Sequence, residues 1–257
     1  LVLRASWGYN SSMMRTANPV LNERTFTRLG AAGGSHAMTI EGTVIKTGVM
    51  LMLAVITASI AWRSVSAEGS AMPWILGGAI GGLVMVIITM FKPTLAGITA
   101  PVYAILEGLF LGAISAQYEM MYQGMVFNAI CLTFGTLFSL LLAYQTGFIK
   151  ATENFKLGVF AATGAIGLVY LFNFIMSIFG MGIPLIHSSG IMGIVFSLVV
   201  VVIAALNLVL DFDFIENGAA AGAPKYMEWV GALGLMVTLV WLYIEILRLL
   251  AKLNSRR

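Results

Sequence analysis

Charge is what this sequence has least of. Only 10% of its 257 residues are Asp, Glu, Lys or Arg, against about 25% in a soluble domain. With 60% hydrophobic residues and a mean hydropathy of +0.95, a water-facing surface cannot be built over most of the chain. That excludes an ordinary soluble domain and leaves lipid as the main solvent. Cysteine is nearly absent: Cys131 stands alone inside an apolar run. An intrachain disulfide is therefore excluded, and the redox compartment stays open. The two histidines, His36 and His187, are too far apart to suggest a sequence-local metal site. No HExxH, GxSxG, P-loop or paired CxxC is present, so nothing supports an enzyme or a bound cofactor. The net charge of +3 and pI near 9.1 come without a nucleic-acid-binding motif. Nucleic acid is not an expected partner.

Long apolar runs are what the sequence does have. Crossing the ~30 Å hydrocarbon layer takes about 20 apolar residues as a helix. Seven segments meet this: 44–62, 74–91, 98–116, 125–145, 157–179, 190–210 and 229–251. They are continuous rather than alternating, and too long for strands. The expected fold is all-α, a polytopic seven-transmembrane-helix bundle. A polar N-terminal tail spans 1–43, the membrane domain 44–251, and a basic C-terminal tail 252–257. The tail lacks the hydrophobic core of a signal peptide. Met13 or Met14 reads as a natural start, with residues 1–12 expected to be dispensable. The breaks between runs carry Lys92-Pro93, the 180–189 stretch with Pro184 and His187, and a Gly/Ala-rich loop over 216–225. No internal repeat stands out, which argues against an inverted-repeat transporter. Gly77/Gly81, Gly78/Gly82 and Gly108/Gly112 are small-xxx-small pairs that let helices approach closely.

Basic residues give the orientation. With the N-terminus cytoplasmic, nine of the 14 Lys and Arg residues fall on that side and five, including Arg63, Arg248 and Lys252, on the other. The N-terminus is therefore expected inside. Seven full spans then put a basic C-terminus outside, against the rule. A re-entrant helix seven is the competing arrangement.

Ionisable groups inside a membrane are costly, so each is a functional candidate. Glu107 sits mid-helix in Tyr103-Ala-Ile-Leu-Glu-Gly. It is either a protonated glutamate satisfied by a neighbour or a proton or cation site. Glu245 lies past the midpoint of helix seven, with Arg248 at i+3. The two form a candidate charge pair near a helix end. Asp211 and Asp213 close helix six in Asn207-Leu-Val-Leu-Asp-Phe-Asp. They are a solvated acidic helix end, or carboxylates turned into the bundle that sense protons or hold a hard cation such as calcium. Asn173 is expected to bond across helices.

At these positions the chain resembles the Bax-inhibitor-one family, also called the transmembrane Bax inhibitor motif family, in a bacterial branch. The most specific pieces are Asn18-Pro-Val-Leu-Asn-Glu-Arg-Thr-Phe26 and Met38-Thr-Ile-Glu-Gly-Thr43. Pro101-Val-Tyr-Ala104 with Glu107-Gly-Leu-Phe-Leu-Gly112, Leu208-Val-Leu-Asp-Phe-Asp213 and Trp241-Leu-Tyr-Ile-Glu-Ile-Leu-Arg-Leu-Leu250 extend the match over nearly the whole chain from Met14. The resemblance implies a seven-helix bundle with the last helix central, in a bacterial inner membrane. It also implies a pH-sensitive calcium leak, with calcium as the transported ion, controlled by two aspartates on helices six and seven that share a proton. Asp211 or Asp213 matches the first. Alignment through the closing Leu-Arg-Leu-Leu puts Thr238 at the second, with Glu245 two turns further on. A hairpin centred near residue 221 places the level partner of Asp211 near residue 231. Thr238 would then need an asymmetric hairpin, and Glu245 would lie about 20 Å off at ~1.5 Å per residue. By the same count Glu107 is about 9 Å in depth from Glu245.

Two functions from different classes follow. One is a passive, proton-regulated cation leak using Glu107, Asp211 and Asp213. The other is a non-transporting regulator that binds membrane proteins such as a protease. The bilayer is the expected partner in both, and oligomeric state stays open.

Overall fold

The structure is a computed structural model and describes residues 37–67, 69–180 and 190–256. The readings of residues 1–12, of the Asn18–Phe26 motif, of His36 and of Pro184 and His187 lie outside the described residues. Seven helices there are long and apolar enough to cross a membrane. In chain order they are α1 (Ile40–Ser66), α2 (Met72–Phe91), α3 (Ala96–Met121), α4 (Met125–Gln145), α5 (Glu153–Ile178), α6 (Ile191–Ala220) and α7 (Met227–Asn254), with one 3-10 turn at Pro93–Leu95 before α3.

Local chemistry sets the ends. Thr39 caps α1 by accepting from the Gly42 N–H, and Thr152 caps α5 by accepting from the Phe155 N–H, which satisfies donors that a helix start leaves open. Before α4 the chain turns at Gly124, with φ of 78°, a left-handed value that glycine adopts without strain. Glu119 holds that turn through the backbone N–H groups of Gly124 and Val126. The α6–α7 turn has Gly222 at φ 67°.

Several helices run past the spans read from hydropathy, α6 the furthest. α1 begins at Ile40 because Thr39 supplies its cap, and α6 continues to Ala220. A polar turn does not end a helix that still packs, and Phe214 and Ile215 of α6 are buried in the core. The α6–α7 turn is thus centred between residues 223 and 224. The level partner of Asp211 moves from residue 231 to about residue 236, within one turn of Thr238.

α7 is the axis of the bundle: 78% of its spanning window is buried, against 11–44% for the other six. It packs against α1, α3, α4 and α6. One apolar core joins α1, α3, α6 and α7 around Met50, Tyr103, Met227 and Leu233. A second joins α4, α6 and α7 around Ala129, Leu208, Leu242 and Leu247. α7 is one unbroken helix, with Glu228 beside Thr39 at one end and Lys252 beside Gly193 at the other. It therefore traverses the whole bundle and is not re-entrant.

Small residues bring α1, α2 and α3 together. A Cβ on Gly108 or Gly112 would run into the α1 backbone at Ala54 and Ala58. Gly78 and Gly82 face α3 in the same way, whereas Gly77 meets open space. Of the two overlapping pairs on α2, both residues of the second and Gly81 of the first meet α3.

Candidate functional site

The polar residues of the bundle fall in three layers. Six helices share one end near Thr39: the starts of α1, α5 and α7 and the ends of α4 and α6 meet there through the contacts that follow, the start of α3 lies beside Trp229 at Gly97, and the end of α2 adjoins it through the Pro93 turn.

The first layer is centred on Glu228, in the first turn of α7 and 0% exposed. Its carboxylate accepts from the Thr39 backbone N–H (2.9 Å) and the Thr39 hydroxyl (2.8 Å). Lys225 pairs with it at 2.8 Å, and Lys46 of α1 closes the cluster from the other side. Lys46 also stands over the Trp229 ring. A Cβ on Gly42 would overlap this carboxylate, so glycine is what lets α1 start against it. The adjoining backbone is tied by the Met38 N–H donating to Ala223 C=O at 2.6 Å. Glu228, Lys46 and Lys225 were not candidates from sequence. Their partners lie up to 189 positions apart, and an acidic residue in a first turn reads as a helix-end preference. The signal that was available is Thr39 with Gly42, a cap and a small residue inside one of the motifs carrying the resemblance.

Nearby, Asp213 of α6 pairs with the buried Lys156 of α5 at 2.7 Å. Tyr144 of α4 donates to Glu216. Both carboxylates line a cavity of about 790 Å³ between α1, α4 and α6, with Lys150 at its rim.

The second layer is at mid-depth. Asp211 is 0% exposed and lies nine residues inside the end of α6, about 14 Å at ~1.5 Å per residue. The sequence reading set Asp211 and Asp213 at the end of helix six. The added turns of α6 place Asp211 in the bundle interior instead. Glu107 of α3, 8% exposed, lies eleven residues from the start of its helix, about 17 Å by the same rise. The two carboxyls are thus within about 3 Å of one level, with α7 packed against both of their helices. The Glu107 carboxylate faces α2, where a Cβ on Gly82 would come within 2.6 Å of its Oε2, and the Tyr103 ring adjoins the same spot. Thr238 of α7, 3% exposed, is also about 17 Å from its helix start. The buried acidic residues of α7 are Glu228 and Glu245, and both are more than ~10 Å in depth from Asp211. No carboxylate of α7 is level with Asp211. Asn207, one turn along from Asp211, donates to Thr163 of α5 at 2.8 Å.

The third layer lies toward the far end. Arg248 donates to Glu245 at 2.9 Å and to the Tyr170 hydroxyl at 2.7 Å, and Tyr170 donates to Glu245 at 3.0 Å. This triad joins α7 to α5, and Tyr170 is the member that sequence reasoning missed. Lys252 donates to Gly193 C=O at 3.0 Å and the Ser197 hydroxyl at 2.8 Å on α6. Among the described residues no three His, Cys, Asp or Glu side chains cluster as a metal site.

Fold and site together define a seven-helix integral membrane protein with carboxyl groups buried at mid-depth around a central last helix. The family model for Bax inhibitor 1 like proteins matches residues 18–255. The chain belongs to that family. No curated protein and no solved structure matches it.

Proposed function

We propose that this protein is a passive, proton-sensitive cation leak, with calcium as the expected ion. The observation that carries this reading is the pair of buried carboxyls, Asp211 and Glu107, at one level of the bundle. An ionised carboxylate in a membrane interior is costly. Such groups either hold a proton or balance their charge with a cation, which couples occupancy by a cation to pH. Glu216, lining the cavity near the Thr39 end, would attract cations there, whereas Asp213 is already balanced by Lys156. The family resemblance implies the same activity, but the two-aspartate latch it carries is altered here. Thr238 stands at the second position, so a proton shared directly between α6 and α7 is not part of the proposal. Glu107, facing α2, and Asp211, enclosed on α6, act instead as separate groups at one level. Protonation removes the negative charge, so flux falls as pH falls.

The test is calcium entry into proteoliposomes that contain only the purified chain. Flux that rises from pH 5 toward neutrality supports the leak. Liposomes as tight as protein-free controls at every pH and voltage would refute it.

A second reading, a regulator that binds other membrane proteins, is favoured by α5. Only 11% of its spanning window is buried, and Gly158, Gly164 and Gly167 on it all meet open space. A helix so sparsely packed has a free apolar face for another transmembrane helix. Silent liposomes, together with a partner crosslinked through α5, would move the account to this reading.

A further inference from the structure

A groove separates α1 from α4 in the half of the bundle that ends at Arg63. Leu51, Val55 and Trp62 form one wall, and Ile130 and Phe134 the other. α3 and α7 close the floor, and the enclosed volume is about 500 Å³. This is within the range of roughly 300–1,000 Å³ seen for ligand pockets. Val55, Ser59 and Ile130 are exposed at its edges, so it opens sideways, toward lipid in a bilayer.

We propose that this groove is a binding site for one acyl chain of an anionic phospholipid, whose phosphate is held by Arg63. Three observations carry the assignment. The first is the chemistry of the lining. Its hydroxyls are spent inside the protein: Ser59 donates to Val55 C=O, Thr133 to Ala129 C=O, and Ser115 bonds to Tyr243 at 2.7 Å. What remains facing the groove is hydrocarbon, which suits an acyl chain and gives water or a bare ion nothing to bind.

The second is length. From Leu51 to Arg63 is twelve residues, about 18 Å of helix, while one leaflet of the hydrocarbon layer is about 15 Å deep. The groove therefore starts at an interface and stops near the bilayer centre, at Leu51 and Phe134. Those two residues also line the larger cavity toward Thr39. The occupant is thus a molecule of one leaflet.

The third is charge. Among the described residues Arg63 is the one charged side chain lining the groove. It is exposed in the last turn of α1, and among the described residues no carboxylate pairs with it. Trp62 beside it is an aromatic at headgroup depth, where such rings favour the interface. Guanidinium matches phosphate geometry and charge. An apolar slot one leaflet long with a guanidinium at its mouth selects a phospholipid over an uncharged hydrocarbon.

The test is native mass spectrometry of the purified full chain in mild detergent. Phosphatidylglycerol, phosphatidylcholine and palmitate are offered in separate arms. The native chain should retain phosphatidylglycerol as a discrete adduct and prefer it to phosphatidylcholine. Arg63→Gln should lower phosphatidylglycerol retention about fivefold, the effect of one basic residue near a lipid surface, and lower phosphatidylcholine less, because its choline offsets the phosphate charge. Val55→Trp fills the groove from an exposed position and should remove both lipids. Ile130→Trp does the same from the opposite wall, should the first variant fail to fold. Three outcomes would overturn the proposal. Equal phosphatidylglycerol retention in native and both groove-filled chains places the lipid elsewhere. Palmitate held as tightly as phosphatidylglycerol removes the phosphate from the recognition. A native dimer that Val55→Trp converts to monomers gives the groove to a second copy of the chain.

Discussion

At the scale of single residues, the two mid-depth carboxyls have different surroundings, and that difference makes them separable by mutation. Glu107 lies against a glycine of α2, and Asp211 is enclosed on α6. Glu107→Gln keeps shape and removes titration, so the folded amount should stay close to native while the pH dependence of flux weakens. Gly82→Ala puts a methyl group on the Glu107 carboxylate and should disturb the same pH dependence without touching a charge. If Gly82→Ala and Glu107→Gln both leave the pH–flux curve unchanged, Glu107 is a packed, protonated side chain. Asp211→Asn combined with Asp213→Asn should lower or deregulate flux, because it removes both the deep carboxyl and the partner of Lys156. Glu245→Gln should do less to flux, since Glu245 is already balanced by Arg248. Gly42→Ala should destabilise the fold, since the added methyl overlaps a Glu228 carboxylate pinned by several donors.

At the scale of elements, the clamp between α1 and α7 is the feature with the largest expected energetic effect. Glu228 joins the cap of α1, a lysine of α1 and the α6–α7 turn. Glu228→Ala removes a buried anion from beside two lysines, and breaking such a pair costs roughly 3–5 kcal/mol. Glu228→Gln keeps hydrogen-bonding capacity and should cost less, roughly 1–3 kcal/mol. Thermal unfolding in detergent, with amide exchange over residues 39–43, checks both. Unchanged exchange there in Glu228→Ala would show that α1 does not depend on the clamp. The seven helices were legible in the sequence because apolar length alone decides a membrane span. The Glu245–Arg248 pair was legible because i,i+3 spacing is local. Glu228 with Thr39 was not, since only tertiary packing brings them together. The sequence left Asp211 between a solvated helix end and the bundle interior for another reason. Hydropathy falls off after Leu210, yet helical hydrogen bonding continues for ten more residues because Phe212, Phe214 and Ile215 still pack. That one misplaced end shifted the hairpin register by about five residues and made Thr238 look out of reach of Asp211.

At the scale of the whole molecule, α7 is a buried axis, tied by polar contacts to α1 at one end and to α5 and α6 toward the other. With α1 crossing once between Thr39 and Ser66, Ser66→Cys and Phe148→Cys in a Cys131→Ser background should label from opposite sides with an impermeant thiol reagent. Labelling from one side would break the topology. The central claim, that mid-depth carboxyls make this bundle a proton-sensitive leak, is tested most directly by the pH–flux curve for calcium in proteoliposomes. Native chain, Glu107→Gln and the Asp211→Asn/Asp213→Asn double variant are compared at equal folded protein. The account predicts native flux that falls on acidification and a flattened curve in both variants. Native flux that is absent, or a pH dependence identical in all three proteins, would contradict it.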